Sequence, residues 1–204
     1  MYSIITGSIL ISLLHSVIPN HWLPIIAIGR REKWTHNDVV KITLVCGIAH
    51  GVSTGLLGLF LGIVGHQLDK SVSFFTRIAA PAILILVGII FIYRHHIHMH
   101  FHLDENVKKK RSKRAIVMAL TAAMFLSPCL EIEAFFLMAG AIDRSLTFAV
   151  AILYVTISTM GMVMLVSQAY RGLLKLNWHL LEHNAGIVTG ITLVVTGIVT
   201  FFIG

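Results

Sequence analysis

The chain has 204 residues, of which 56% are hydrophobic and 12% are charged, and its mean hydropathy is +0.86. This composition excludes an ordinary soluble domain, in which about a quarter of the residues are charged. The formal net charge of +7 does not indicate nucleic-acid binding, because basic residues in a membrane protein collect in the loops of one side.

Six apolar stretches of the chain resemble membrane spans, for which a bilayer core needs roughly 20 mainly apolar residues per helix. None of them alternates polar and apolar residues as a barrel strand does, so each is predicted to be an α-helix. The sequence therefore predicts an all-α integral membrane protein of six transmembrane helices. The predicted spans are Tyr2 to Ile28, Val39 to Val64, Ala79 to Tyr93, Ala115 to Ala141, Leu146 to Ser167 and Ala185 to Ile203.

The Lys and Arg residues are distributed unevenly between the two sides of these spans. The connections after spans one, three and five, with their flanks, hold thirteen of the sixteen, and the opposite side holds Lys70, Arg77 and Arg144. By the positive-inside rule the first set is cytoplasmic, so both termini are predicted to lie outside. We expect a multi-pass protein of a prokaryotic plasma or inner membrane, with membrane lipid as a partner and no nucleic acid. A homo-oligomer is left open.

A constant offset of 109 positions relates the two halves of the chain. It separates Pro19 from Pro128, and the segment LVGII at 86–90 from VTGIV at 195–199. Because each half has three spans, the second half must enter the membrane in the opposite orientation, so the offset predicts an inverted repeat. Chance recurrence of Gly and Ile in apolar helices is the alternative. The predicted units are a first three-helix repeat (1–95), a cytoplasmic His-rich and basic loop (96–114) and a second three-helix repeat (115–204).

The predicted cytoplasmic loop begins with a histidine tract and ends with a basic block. The tract consists of His95, His96, His98, His100 and His102. We interpret it as a metal-capturing segment, and a solvated or lipid-facing end of span three is the alternative. The block from Lys108 to Arg114 is expected to fix the topology and to lie on anionic lipid.

A small set of polar and ionisable side chains lies within the predicted spans, where such groups are costly and usually serve a function or pair with a partner. Each one alone could be a core residue satisfied by a neighbour, but so many together favour a common midplane site. The set consists of His15 and His21 in span one, Cys46 and His50 in span two, and Cys129, Glu131 and Glu133 in span four.

Prolines predict breaks in the helices beside these groups. Pro19 has no N–H, so the carbonyl of His15 is expected to lose its helical partner, and Pro128 is expected to free the carbonyl of Met124 in the same way. Broken helices at corresponding places in two inverted halves predict the binding site of a transporter. Freed carbonyls, imidazoles and carboxylates are all expected as cation ligands.

The spacing of the candidate ligands indicates the class of ion. Cys46 and His50 are four residues apart, as are Cys129 and Glu133, so each pair is expected to share a helix face. A thiol beside an imidazole or carboxylate suits Zn²⁺, Ni²⁺ or Co²⁺ better than Mg²⁺ or Ca²⁺. Glu131 can join Glu133 at the site only if Pro128 distorts the turn.

Two motifs resemble those of nickel/cobalt transporters and efflux proteins, the urease accessory protein H-like transmembrane family. The segment from His15 to His21 resembles their H-x4-D-H or H-x4-G-H signature, and the segment from Gly47 to Gly51 resembles their Gly-x-x-His segment. The histidine tract and Pro128-Cys129 are similar to the efflux branch. The resemblance implies a bundle of two inverted three-helix repeats that moves a divalent transition-metal ion, with His15, His21 and His50 as ligands.

The chain departs from that family at two places. Asn20 stands where an acidic residue or glycine is usual, and Cys129-Leu130-Glu131 replaces a Pro-Cys-Pro motif. The metal is therefore left open among nickel, cobalt and zinc. The predicted metal ligands are His15, Asn20, His21, Cys46, His50, Cys129, Glu131 and Glu133.

We predict a transporter, not an enzyme, with the metal ion as substrate and no resident cofactor. A cytoplasmic histidine tract favours export over import, because it would collect metal at the inner mouth. The first alternative is a thiol-disulfide electron carrier similar to the cytochrome c biogenesis transmembrane family, using Cys46 and Cys129. Against it, the offset of 109 pairs Cys129 with Asn20 and not with a second cysteine. A membrane assembly or accessory factor is the second alternative.

Overall fold

The structure is a computed structural model that describes residues 2–67, 78–96, 112–129, 131–172 and 178–203. Within these ranges the side chains at positions 20, 64–67, 80, 91, 94–96, 178–186 and 203 are not described. The described elements are all α-helices. In chain order they are α1 (Tyr2–Val17), α2 (Pro19–Arg31), α3 (His36–Gln67), α4 (Ala80–His96), α5 (Lys113–Phe125), α6 (Glu133–Ile142), α7 (Arg144–Tyr170) and α8 (Trp178–Ile203).

The helices have the lengths and compositions of membrane segments. Three segments are long and apolar enough to cross a bilayer, namely Tyr2–Arg31, His36–Ile63 and Arg144–Tyr170. Three shorter apolar helices are Pro81–Ile90, Glu133–Ile142 and Ile187–Phe202. The prediction of a helical membrane protein is thus confirmed at the level of helix type and apolar character, and the number of six spans stays a prediction.

Predicted spans one and four are each divided into two helices at a proline. Ile18 has an extended backbone (φ −62°, ψ 119°), and Pro19 begins α2, a position where its missing N–H costs nothing. The expectation of a free His15 carbonyl is wrong, because the N–H of Ile18 donates to that oxygen at 3.1 Å. The turn tightens and supplies the donor that the proline cannot.

The order of helices recurs at the offset found in the sequence. A shift of 109 positions carries α1, α2, α3 and α4 to ranges that overlap, in the same order, those of α5, α6, α7 and α8. The crossing of α4 and α8 shows the same relation at the atomic level. A Cβ on Gly88 would lie 2.7 Å from the carbonyl oxygen of Gly190, and a Cβ on Gly197 would lie 2.9 Å from that of Pro81. Since 88 and 81 become 197 and 190, each half makes an equivalent contact with the other.

Helices α3 and α6 approach each other closely enough to bring their backbones into contact. A Cβ added to Gly140 would overlap the backbone of Gly62. Small residues at a helix crossing allow this approach, and it is a common way for membrane helices to gain packing energy. The contact holds the last turn of α6 against α3.

Three of the basic connections meet at one end of the bundle. Lys113 at the start of α5 forms an ion pair with Asp38 at the start of α3 (2.7 Å). Arg171 at the end of α7 donates from Nε to Nε2 of His36 (3.1 Å). The connections after predicted spans one, three and five therefore lie on the same side, as their shared basic character predicts. Which side of a membrane this is stays a prediction.

Candidate metal centre

Four side chains form a buried group that could hold a metal ion. They are His15, His21, His50 and Cys129, and one donor atom from each lies within 4.8 Å of all the others. His15 is 1% exposed and His50 is fully buried. The helix breaks bring the group together, since His15 lies in the last turn of α1, His21 in the first turn of α2, and Cys129 in the non-helical segment between α5 and α6.

Three of the six separations between donor atoms are close to those of a four-coordinate ion. A tetrahedral ion with bonds of about 2.1 Å to nitrogen and 2.3 Å to sulfur places two nitrogens about 3.4 Å apart, and nitrogen and sulfur about 3.6 Å apart. The Nε2 atoms of His15 and His50 are 3.1 Å apart. The Sγ of Cys129 lies 3.4 Å from Nε2 of His21 and 3.7 Å from Nε2 of His15. The group is therefore already close to coordination size.

The ring of His50 is oriented by the carbonyl of Met124, which cannot bond to Pro128 and accepts from the N–H of Ser127 (3.4 Å). Nδ1 of His50 lies 3.2 Å from the carbonyl oxygen of Met124 and donates to it. In a neutral imidazole this places the proton on Nδ1 and leaves the lone pair of Nε2 facing the group. The carbonyl of Met124 was expected as a cation ligand. Instead it accepts a hydrogen bond from Nδ1 of His50, the ring nitrogen that does not face the group. This arrangement is common around metal-binding histidines.

His15 presents its two ring nitrogens to different partners. Nε2 faces His50 and Cys129, whereas Nδ1 lies 3.9 Å from Oε2 of Glu131. That distance is too long for a hydrogen bond, and Nδ1 of His15 and Oε2 of Glu131 have no hydrogen-bond partner among the described residues. A carboxylate opposite the coordinating nitrogen is suited to fix the ring when an ion binds at Nε2.

Cys129 is held in the group by a hydroxyl of α3. Its backbone N–H donates to Oγ1 of Thr54 (3.1 Å). Because Cys129 lies outside a helix, this N–H has no helical acceptor, and Thr54 provides one. Thr54 lies one turn after His50 on the same face of α3, so a single helix orients two of the four donors.

Replacing Thr54 by Val should weaken metal binding by about tenfold. The variant keeps the side-chain shape but leaves the N–H of Cys129 without its acceptor, at a cost of about 1–3 kcal/mol. Thr54→Ser should bind as the wild type does. Thr43→Val is a matched control, because the Thr43 hydroxyl donates within its own helix to Val39 (2.8 Å). A Co²⁺ titration followed by absorbance measures the affinities, and equal affinity of Thr54→Val and the wild type would contradict this role.

The remaining predicted ligands lie outside the four-donor group. The thiol of Cys46 is buried and lies 3.6 Å from Oγ1 of Thr121. Glu131 and Glu133 are buried and line a cavity of about 610 Å³ that also reaches His21 and Cys129. Asn20 lies in α2, but its side chain is outside the described part of the chain. The histidine tract is also outside it, apart from the backbone of His95 and His96 at the end of α4.

Sequence reasoning did not identify the residues that surround the four-donor group. Tyr154 of α7 is fully buried, its ring lies 5.5 Å from that of His15, and its hydroxyl has no partner among the described residues. A tyrosine in the middle of an apolar span was a signal for it, since its hydroxyl needs a partner when buried. Thr54 could have been found as the hydroxyl one turn from His50. The role of the Met124 carbonyl could not be predicted, because the sequence does not show which histidine faces it.

Comparisons with protein-family models, with curated proteins and with solved structures find no match for this chain. The resemblance to nickel/cobalt transporters therefore stays a prediction from the two motifs. The donor group and the apolar helices around it are the features that indicate a function.

Proposed function

We propose that this chain is a membrane transporter for a divalent transition-metal cation, and that the ion binds to His15, His21, His50 and Cys129. One observation carries the proposal. Three imidazoles and one thiol converge, with their donor atoms within 4.8 Å of one another, in the interior of a bundle of apolar helices. A buried donor set at broken helices is the arrangement by which transporters bind a cation within the membrane.

The proposed architecture is six transmembrane helices in two inverted three-helix repeats, with both termini outside. The recurring helix order and the equivalent glycine contacts of α4 and α8 support the repeat. The meeting of three basic connections at one end supports the topology. Within this arrangement α1 with α2, and α5 with α6, are the two broken spans that supply the site.

The donor set supports zinc, cobalt or nickel as the substrate class. Imidazole and thiolate are preferred by borderline divalent ions, and the near-tetrahedral separations fit zinc or cobalt best. Mg²⁺ and Ca²⁺ prefer oxygen ligands in larger number. We propose export as the direction because the histidine tract follows α4 on the side proposed to be cytoplasmic, where it would raise the local concentration of the ion.

The thiol-disulfide carrier has less support as an alternative function. Cys46 and Cys129 are both free thiols. Cys46 contacts a threonine hydroxyl, whereas Cys129 contacts two imidazoles of the four-donor group. A thiol surrounded by imidazoles suits coordination, and electron transfer would require a second thiol within disulfide distance.

Metal flux into proteoliposomes tests the proposed function. With Zn²⁺ or Co²⁺ outside and a metal-sensitive dye inside, wild-type vesicles should fill. Vesicles with His15→Ala and His50→Ala together should fill at the rate of empty vesicles, because half of the donor set is lost. Cys46→Ser is the matched control, since it replaces a buried thiol one turn from His50 and should retain flux. Wild-type flux in the double variant would show that the ion does not pass through this site.

A further inference from the structure

Two carboxylates in the interior of the bundle have oxygen atoms without a hydrogen-bond partner among the described residues. Glu133 is 5% exposed, and neither of its carboxylate oxygens has a hydrogen-bond partner among the described residues. Glu131 is 7% exposed, and its Oε2 is also without a partner. Both line the cavity of about 610 Å³. A buried carboxylate without partners is costly, so native proteins retain one mainly where something binds.

The lining of the cavity contains no side chain that could neutralise these glutamates permanently. Apolar residues of α2, α4, α5 and α8 form most of it, and among the described lining residues there is no Lys or Arg. The nearest basic group to Glu131 is the imidazole of His15, at 3.9 Å. The cavity is therefore a site of negative potential when the carboxylates are ionised, and a cation is the complementary ligand.

The carboxylates adjoin the four-donor group without belonging to it, since the cavity that they line also reaches His21 and Cys129. Glu131 approaches Nδ1 of His15, on the opposite side of the ring from the Nε2 atom that faces His50 and Cys129. The imidazole ring of His15 therefore stands between this oxygen of Glu131 and an ion bound at Nε2. The break before α6 explains why two glutamates only two residues apart share the cavity, because Glu131 lies in the turn before the helix and Glu133 begins it.

We propose that Glu131 and Glu133 form a second cation position, which takes a partly hydrated divalent ion by oxygen coordination. The cavity of about 610 Å³ far exceeds the roughly 10–15 Å³ that a single water needs, so an ion that keeps part of its hydration shell has room in it. Carboxylates and water are the ligands of hard divalent ions, in contrast to the imidazoles and thiol of the neighbouring group. Binding of an ion at this position does not depend on the proposed transport. A role for this position as the place where a transported ion loses or regains water rests on the proposed function.

Mn²⁺ is the probe for this position because it prefers oxygen ligands. Purified full-length protein in detergent is titrated with Mn²⁺, and the bound ion is measured by its loss of free-ion electron paramagnetic resonance signal. Wild-type protein should bind Mn²⁺, and Glu133→Gln, which keeps the side-chain size, should weaken binding more than about tenfold. Glu131→Gln is the second variant and should weaken it as well.

Co²⁺ absorbance on the same samples keeps the two positions apart. Glu133→Gln should retain the intense tetrahedral bands of the four-donor group, which also shows that the variant is folded. His50→Ala should lose those bands and still bind Mn²⁺. The proposal is overturned if wild-type protein binds no Mn²⁺, or if both glutamine variants bind Mn²⁺ as the wild type does. It is also overturned if His50→Ala and Glu133→Gln each lose the binding of both Mn²⁺ and Co²⁺. Absence of the Co²⁺ bands from wild-type protein would instead count against the four-donor group and the proposed function.

Discussion

Replacement of Cys129 by Ser should reduce the affinity for Co²⁺ by about 100-fold or more. Loss of a residue that only orients a metal ligand typically costs 10–100-fold, and Cys129 provides a donor directly, 3.4 Å from Nε2 of His21. It is also the group's one source of a formal negative charge, which a buried dication needs. Absorbance spectroscopy should show loss of the sulfur-to-cobalt charge-transfer band.

The same substitution at the other cysteine is the control. Cys46 is equally buried and lies one helical turn before His50, but its thiol contacts Thr121. Cys46→Ser should therefore retain both the charge-transfer band and the affinity. If the two variants lose the band together, or if neither loses it, the assignment of Cys129 as the sulfur donor is wrong.

Replacement of Gly140 by Ala should destabilise the bundle by about 3 kcal/mol, toward the upper end of the usual cost of overpacking. The new Cβ would overlap the backbone of Gly62, and a backbone cannot move aside as a flexible side chain can. Helices α3 and α6 would have to separate. Thermal unfolding in detergent, followed by tryptophan fluorescence or loss of the monodisperse fraction, should show a midpoint lower by several degrees.

Gly55 of α3 provides a matched control for this effect. A Cβ at Gly55 would meet its nearest neighbour, a methyl carbon of Val155, at 3.8 Å, which is an ordinary contact. Gly55→Ala should be neutral or stabilising, because alanine is favoured over glycine in a helix by about 1 kcal/mol. Equal melting of the Gly140 and Gly55 variants would show that α3 and α6 do not lie in backbone contact.

The helical character of the chain and most of its donor group could be predicted from sequence. Long apolar runs leave helices as the only element that satisfies the backbone inside a membrane. His15, His21, His50 and Cys129 were found because a polar side chain in such a run needs a reason. Proline located the two breaks, since it removes a helical donor whatever the surroundings.

What surrounds the donors could not be predicted, because it depends on how helices pack across the bundle. The spacing of Cys46 and His50 places them on one face of α3. The imidazole of His50 nevertheless joins the four-donor group, whereas the thiol of Cys46 lies against Thr121. The partners of the carbonyls that face the prolines depend on packing in the same way. Those of His15 and Met124 both accept from the N–H three residues on, and that of Met124 also accepts from His50 of another helix. Spacing along one helix carries no information about the partner on the next.

The four donors are divided unequally between the halves of the chain. His15, His21 and His50 belong to the first half, and Cys129 alone belongs to the second. If one half rocks against the other, the ion stays with three imidazoles and exchanges only its bond to sulfur. A three-coordinate ion is open to water at the vacated position. In the proposed transporter the ion would therefore join the two halves through a single exchangeable bond to sulfur, and loss of that bond would also remove the one formal negative charge of the group and so favour departure of the dication.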